Sequence, residues 1–389
     1  MIDITIYEVG PRDGLQNEKI PLDTNDKIKF INILSETGLL FIESGAFVSP
    51  KWVPAMADSN TVLSRINKKN NIKYPVLTPN LKGLEDAVKY NSDTACVFAT
   101  PSETFSKKNT NCSVKEALVR AKEVAEEAIN KGLKVRGYIS TVMFCPYENE
   151  IESIKVAKLS EELIKIGCYE ISLGDTIGSG TPLKTKDMIK ACKEAVGVEK
   201  LAVHFHDTYG QALANILASI EIGVKVIDTS VGGLGGCPYA PGAKGNVATE
   251  DVLFMLNGMG IETGVDIEEI CSASKFVFEN WSIYDEHDYT IYNPVHTIIE
   301  YVNRLVSVLL GFSVVLMIVF AFKSSRLKTM NVLFSFLALF LIGFNAWLGK
   351  LVVEGVLNPG DISAHMIAAF GLIIALSFTH TQNSNPKYF

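Results

Sequence analysis

The sequence predicts a (β/α)8 barrel followed by a short all-helical, membrane-like tail. Three observations predict it. Eight apolar, β-rich runs alternate with amphipathic stretches over residues 4–258, polar and metal-ligating residues fall at the ends of those runs, and the chain changes character after Trp281. The runs are Ile4–Val9, Leu39–Ser44, Ile72–Leu77, Thr94–Phe98, Leu133–Ser140, Tyr169–Asp175, Leu201–His206 and Val226–Ser230. Between them lie helical stretches such as Ser113–Lys131, in which Ala117, Val119, Ala121, Val124 and Ala128 are expected to supply the apolar face. Eight strand–helix repeats in about 260 residues match such a barrel in size and order.

In that fold, reactive groups sit where strands end. Arg12 and Asp13 follow the first run, Glu43 ends the second and Asp175 ends the sixth. His204 and His206 end the seventh, and Cys237 follows the eighth. Residues i and i+2 of a strand face the same side, so both histidines are expected in the barrel mouth. Two imidazoles this close would repel if both were protonated. A cation between two neutral rings answers that, and a hydrogen-bonded pair of core histidines answers it equally well.

Thr229–Asn246 packs Gly232, Gly233, Gly235 and Gly236 around Cys237 and Pro238. Such glycine density permits positive φ and close approach to a ligand, so the run reads as a loop delivering one thiol, with Asn246 opening the next helix.

Composition limits the partners. The 389 residues are 48% hydrophobic with a formal net charge of −7 and a pI near 5.5. An acidic chain without a basic face argues against nucleic acid as a partner. Seven cysteines without paired spacing, and a start on a charged strand segment without a signal peptide, point to a reducing, cytoplasmic setting. Cys96, Cys168, Cys192 and Cys271 are expected in the core, with Cys237 the exposed exception. The one basic cluster, Lys107-Lys108-Asn109, reads as either a solvated face or an anion contact.

The glycine loop closely resembles the signature loop of the 3-hydroxy-3-methylglutaryl-CoA lyase family. So do Tyr7-Glu-Val-Gly-Pro-Arg-Asp-Gly-Leu-Gln-Asn, Phe41-Ile-Glu-Ser-Gly, Leu173-Gly-Asp-Thr-Ile-Gly and Val203-His-Phe-His-Asp-Thr-Tyr-Gly, in the family's order. The resemblance covers roughly Met1–Trp281. It implies that Asp13, His204, His206 and Asn246 hold a divalent cation. Two nitrogens and two oxygens with open positions suit Mg²⁺ or Mn²⁺ better than a closed zinc site. It implies an acyl-CoA substrate contacted by Lys107, Lys108 and Asn109, with Gln16, Arg136, Tyr138 and Thr176 also at the substrate. Arg136 and Tyr138 are expected to point into the mouth.

The implied reaction cleaves 3-hydroxy-3-methylglutaryl-CoA to acetyl-CoA and acetoacetate, as in leucine degradation. Arg12 suits stabilisation of the enolate oxygen. Cys237 would close over the site and take part in proton transfer, and Glu43 would orient Arg12 or the metal shell. Asp13, Asp175 and His204 all remain candidates for moving the alcohol proton. The rival within the same fold is a Claisen-condensing relative, similar to isopropylmalate synthase, acting on 2-keto acids. A homodimer is also expected.

The expected domains are a barrel over residues 1–283, a connector over 284–304 and a hydrophobic tail over 305–380. Leu305–Phe322 and Val332–Leu348 approach the ~20 residues that span a bilayer, with Lys323, Arg326 and Lys328 between them, and Ile362–Phe378 is marginal in length. The segments Ile299-Glu-Tyr-Val-Asn-Arg-Leu-Val, Asn345-Ala-Trp-Leu-Gly-Lys-Leu-Val-Val-Glu-Gly and Ala364-His-Met-Ile-Ala-Ala give the tail its resemblance to a fragment of haem A synthase. His365 matches a membrane histidine used there for haem ligation, and Asn303 stands where a histidine is common. The fragment lacks a first membrane helix and a second helical bundle, so tight haem binding is not expected of it. A third reading of the whole chain follows from this tail: a membrane haem-pathway protein carrying a lyase domain. A cytoplasmic hairpin would put the barrel outside if the first run spans, which conflicts with its reducing character. The tail therefore reads best as a fusion remnant or a misjoined reading frame.

Overall fold

The computed structural model describes residues 3–16, 18, 21–236 and 245–280, and scattered helical positions between 312 and 347. The chain divides into two compact units, Met1–Ser282 and Ile283–Phe389.

Among its described residues the first unit carries eight parallel strands in one sheet, all at the expected runs. They are β1 (Thr5–Glu8), β2 (Phe41–Ile42), β3 (Val76–Leu77), β4 (Thr94–Ala99), β5 (Lys134–Ser140), β6 (Glu170–Asp175), β7 (Leu201–Phe205) and β8 (Val226–Thr229). Hydrogen bonding runs in ring order β2-β1-β8-β7-β6-β5-β4-β3. Parallel bridges Phe41↔Lys73 and Ala46↔Leu77 join β2 to β3, so the sheet closes on itself. Closure leaves no free edge and explains why β6 and β7 are buried along their whole length: helices cover one face and the barrel interior the other.

Each strand is followed by at least one helix, from α1 (Thr24–Leu34) through α2 (Ser59–Arg65), α3 (Leu81–Lys89), α4 (Glu103–Thr110), α5 (Val114–Asn130), α6 (Ser153–Lys165), α7 (Pro182–Val196) and α8 (Ala212–Ile222) to α9 (Thr249–Gly258). A tenth, α10 (Ile267–Asn280), packs against α1 and α9. Helix α5 starts on a full capping box, in which Ser113 accepts from the Glu116 amide and the Glu116 carboxylate reaches back to the Ser113 backbone N–H. Its buried face is Ala117, Ala121, Val124, Ala125 and Ala128. Val119, expected on that face, is 51% exposed, because it lies two residues past Ala117 and so on another side of the helix. Cys96, Cys168 and Cys192 are in the core as expected, but Cys271 is exposed, on the outer side of α10.

In the second unit, the described residues at 312, 315–316, 318–319, 332–333, 335–344 and 347 are all helical. Among the described residues, no helix is long and apolar enough to cross a membrane. The expected spans fall largely outside those residues, as do Asn303 and His365.

Candidate active site

The polar mouth of the barrel is built from strand ends. Directly after β1 the chain makes a π-helical turn over Gly10–Gly14, which brings Arg12 and Asp13 inward. Glu8, the last residue of β1, anchors this turn: its buried carboxylate accepts from the amides of Gly10 (2.7 Å) and Val231 (3.0 Å) and from Thr249 Oγ1 (2.7 Å). Burial pushes the Glu8 carboxyl up to about 7 despite those bonds.

Arg12 lies between two carboxylates. Nη1 is 2.5 Å from Asp13 Oδ1 and Nη2 is 2.8 Å from Glu43 Oε2, and the guanidinium stands 5.4 Å from the Tyr138 ring centre. Tyr138 donates its hydroxyl to the same Glu43 oxygen at 3.0 Å. Glu43 is thus held from two sides, and it holds Arg12 in turn. Burial by itself would raise the Asp13 carboxyl; the Arg12 charge, then His204 and His206, outweigh it and hold Asp13 well below the usual carboxylate range.

His204 and His206 do share a face, with ring centres 5.5 Å apart. Together with Asp13 they offer one ligand atom each within 4.8 Å of one another. Burial, and then His204, lower the His206 pKa to about 4, which favours the neutral, lone-pair-bearing ring a metal needs. Its Nδ1 is buried without a hydrogen-bond partner among the described residues. This donor set fits a hard divalent cation held by a carboxylate and two imidazoles.

Asn246 is placed at the site by its backbone and meets Asp13 through its side chain. It is bridged to His206, three residues before α9 starts rather than opening it, because 245–248 pairs with the ends of β7 and β8. Its Nδ2 donates to Asp13 Oδ2 at 3.0 Å and to Leu234 O at 3.1 Å, so the amide nitrogen, not the oxygen, faces Asp13. Gly235 allows this approach: at φ +103 it needs no side chain, and a Cβ there would meet Asn246 Nδ2 at 2.9 Å. Cys237 lies outside the described residues.

Asp175 ends β6. Gly180 N–H donates to its Oδ2 at 2.8 Å, while Oδ1 is buried without a hydrogen-bond partner among the described residues. Burial, only partly offset by the amides of 178–180, raises its pKa to about 6. Thr176 accepts from the Thr141 amide at 2.9 Å. Gln16 is half-buried, directly after the Arg12 turn. Lys107, Lys108 and Asn109 are exposed on the last turn of α4, and Lys108 Nζ stands 4.1 Å over the Tyr147 ring.

Arg136 departs from expectation. It does not point into the open mouth; it is fully buried, donating to Glu170 through Nε (2.7 Å) and to both oxygens of Asp228 (3.0 and 2.7 Å), with Tyr7 stacked 3.8 Å away. A guanidinium so enclosed acts on its carboxylates rather than on a ligand. Asp228 was missed in the sequence. Its Oδ2 stands 3.4 Å from His204 Nδ1, and the opposite nitrogen of that ring is 3.7 Å from Asp13 Oδ2. Burial alone would raise the Asp228 carboxyl; Arg136 and His204 outweigh it and lower the value to about 2. For His204, burial acts downward, and the two carboxylates flanking it raise its pKa overall. The signal for Asp228 was an acid inside the apolar run Val226-Ile-Asp-Thr, level with His204 on the neighbouring strand.

A closed parallel barrel with a carboxylate–bis-imidazole cluster and a buried arginine at its C-terminal mouth has the layout of a barrel enzyme, with donors that could hold a cation. Comparison with known proteins narrows the class. Residues 3–277 match the HMGL-like family, to which the chain belongs. It is 55% identical over 274 residues to the mitochondrial hydroxymethylglutaryl-CoA lyase of Gallus gallus, covering 70% of this chain and 92% of that one. The crystal structure of hydroxymethylglutaryl-CoA lyase from Pseudomonas aeruginosa superposes with a TM-score of 0.70 at 52% identity, over 71% of this chain and 92% of that one. An HMG-CoA lyase from Acinetobacter baumannii, solved with coenzyme A and 3-methylmalate, gives a TM-score of 0.68 at 36% identity, over 71% and 90% of the two chains. Residues 284–388 match a second family, described as cytochrome oxidase assembly protein, in keeping with the tail's resemblance to haem A synthase.

Proposed function

We propose that the chain is a divalent-metal-dependent carbon–carbon lyase cleaving 3-hydroxy-3-methylglutaryl-CoA to acetyl-CoA and acetoacetate. One observation carries the reading: Arg12, Asp13, His204 and His206 converge at the barrel mouth in a chain 55% identical to a hydroxymethylglutaryl-CoA lyase.

Asp13, His204 and His206, with Asn246 beside them, would hold Mg²⁺ or Mn²⁺. Bound there, the cation supplies Lewis acidity to the tertiary hydroxyl of the substrate. The protein does the rest. Among the candidates for taking the alcohol proton, Asp175 fits best. Its value near 6 leaves it ionised at neutral pH yet basic enough to accept a proton, and its buried Oδ1 is available. Asp13 is too weak a base, and His204 is braced between two carboxylates. As the carbon–carbon bond breaks, charge moves to the thioester oxygen of the departing acetyl-CoA. Arg12, pre-set by Asp13 and Glu43, stabilises that oxygen without reorganising. Cys237 would return a proton to the enolate carbon. Lys107 and Lys108 are read as contacts for the anionic nucleotide end of coenzyme A, at the exposed end of α4. The tail is read as membrane-associating, supported by the exposed Phe312, Leu333, Phe336, Phe340 and Trp347.

The test is product analysis. The purified full chain, given this thioester and Mg²⁺, should release acetyl-CoA and acetoacetate in equal amounts. Condensation of acetyl-CoA with a 2-keto acid, releasing free CoA, with 3-hydroxy-3-methylglutaryl-CoA left uncleaved, would overturn the reading in favour of the Claisen-condensing alternative.

A further inference from the structure

The buried network beneath the site carries more acid than its arginine needs. Arg136 brings one positive charge, and Glu170 alone would balance it, through the 2.7 Å bond to Nε. Asp228 is a second carboxylate in the same enclosed space, with its side chain fully buried. Its plane is fixed by the two Arg136 donors, and Ser172 Oγ adds a third bond to Oδ2 at 2.7 Å. Three donors on one carboxylate keep it ionised and make it an acceptor only. Its surplus charge faces His204 Nδ1, 3.4 Å from Oδ2 and about 0.5 Å longer than a typical N–H···O bond.

We infer that Asp228 is a positioning residue for His204: it keeps the imidazole proton on Nδ1 and so turns the Nε2 lone pair toward Asp13. The inference rests on the reading of Asp13, His204 and His206 as a cation site. The reasoning is one of hydrogen-bond polarity. An acceptor-only oxygen opposite Nδ1 is satisfied by the Nδ1–H tautomer alone; the other tautomer sets a lone pair against the carboxylate and aims a proton at the cation's place. A carboxylate behind a ligating histidine both orients the ring and strengthens its free nitrogen as a donor. Arg136 and Ser172 act one step further back, by fixing the angle from which Asp228 meets the ring.

The experiment uses the full chain stripped of metal, with free Mn²⁺ followed by electron paramagnetic resonance during titration, so that no turnover is read. Asp228→Asn is nearly isosteric. Arg136 has only donors to offer, so the new amide oxygen stays with it, and the NH₂ falls toward Ser172 and His204. Donated to Nδ1, it moves the ring proton to Nε2. The expected loss of Mn²⁺ affinity is roughly 10–100-fold. Glu170→Gln takes a charge from the same arginine without touching His204, so it should lower the melting temperature while leaving Mn²⁺ affinity within about threefold.

Equal affinity in Asp228→Asn and wild type would overturn the inference. So would an equal loss in Glu170→Gln, which would make the network a general scaffold. Should Asp228→Asn fail to fold, ¹⁵N shifts of labelled histidine in the wild-type protein decide, with the His204 signal assigned by its disappearance in His204→Gln. Nδ1–H is expected, and Nε2–H would overturn the proposal. A wild type that binds no Mn²⁺ would defeat the metal reading separately, with the tautomer still deciding the role of Asp228.

Discussion

Replacing Arg12 by glutamine tests the electrostatic core of the site. The guanidinium is 7% exposed and makes two short ion pairs, 2.5 Å to Asp13 and 2.8 Å to Glu43. Glutamine keeps a polar amide of similar reach but removes the charge. Removing one partner of a buried ion pair costs about 3–5 kcal/mol. Glu43 lies at the low end of that cost: burial already raises its carboxyl, so it can take up a proton and stay hydrogen-bonded to Tyr138. A loss of about 3 kcal/mol corresponds to roughly 5–10 °C in melting temperature for a barrel of this size.

The kinetic effect should be larger. Loss of one neutral oxyanion donor slows catalysis by about 10²–10³, and a buried cation is the stronger donor. The kcat of Arg12→Gln should therefore fall at least about a thousandfold, near 4 kcal/mol of barrier. KM should move less than about threefold, since the charge it stabilises exists only as the bond breaks. The assay is acetoacetate release at saturating Mg²⁺ across a range of thioester concentrations, with circular dichroism as the folding control. A tenfold rise in KM with kcat intact would refute the reasoning, because Arg12 would then only bind substrate.

Three further expectations follow from the same geometry. Activity should vanish in excess chelator and return with Mg²⁺ or Mn²⁺, and His206→Ala should weaken cation affinity and turnover at least about tenfold; full turnover in chelator would end the metal reading. Asp175 must be ionised to act as a base and its pKa is raised to about 6, so kcat/KM should fall tenfold per pH unit below that point and level off above it. A flat profile from pH 5 to 8 would exclude it as the base. A chain ending near residue 283 should fold and keep the kinetics of the full chain, since all eight strands and α1–α10 lie before that point; an insoluble truncation beside a soluble, monomeric full chain would show that the apolar tail packs as core.

Each of the eight strands was legible because each is a short apolar run bounded by a polar break, and a strand buried on both faces needs no finer pattern. The mouth was legible for a related reason: in this topology all strand ends meet, so residues far apart in sequence, such as Asp13 and His204, gather without any knowledge of distances. The exposed Val119 and Cys271 show the limit of that approach, since apolar character alone does not say which side of a helix is covered. The short hairpin formed by Phe144–Cys145 and Asn149–Glu150 had no signal comparable to the barrel strands.

Residue type and position along the chain were enough to place the barrel strands and to bring Arg12, Asp13, His204 and His206 to one mouth; that Asp13 joins the two histidines around a cation is what the family resemblance implies. What only the tertiary structure decided is which charged groups face each other across the interior. Arg136 ends a long way in sequence from Asp228, yet the ring order of the strands and their stagger bring the two to bonding distance. The arginine is thereby withdrawn from the mouth and the acid set behind His204. Strand alternation states only that a side chain points inward; how deep it sits, and which partner it finds there, depends on the register of every strand in the closed sheet.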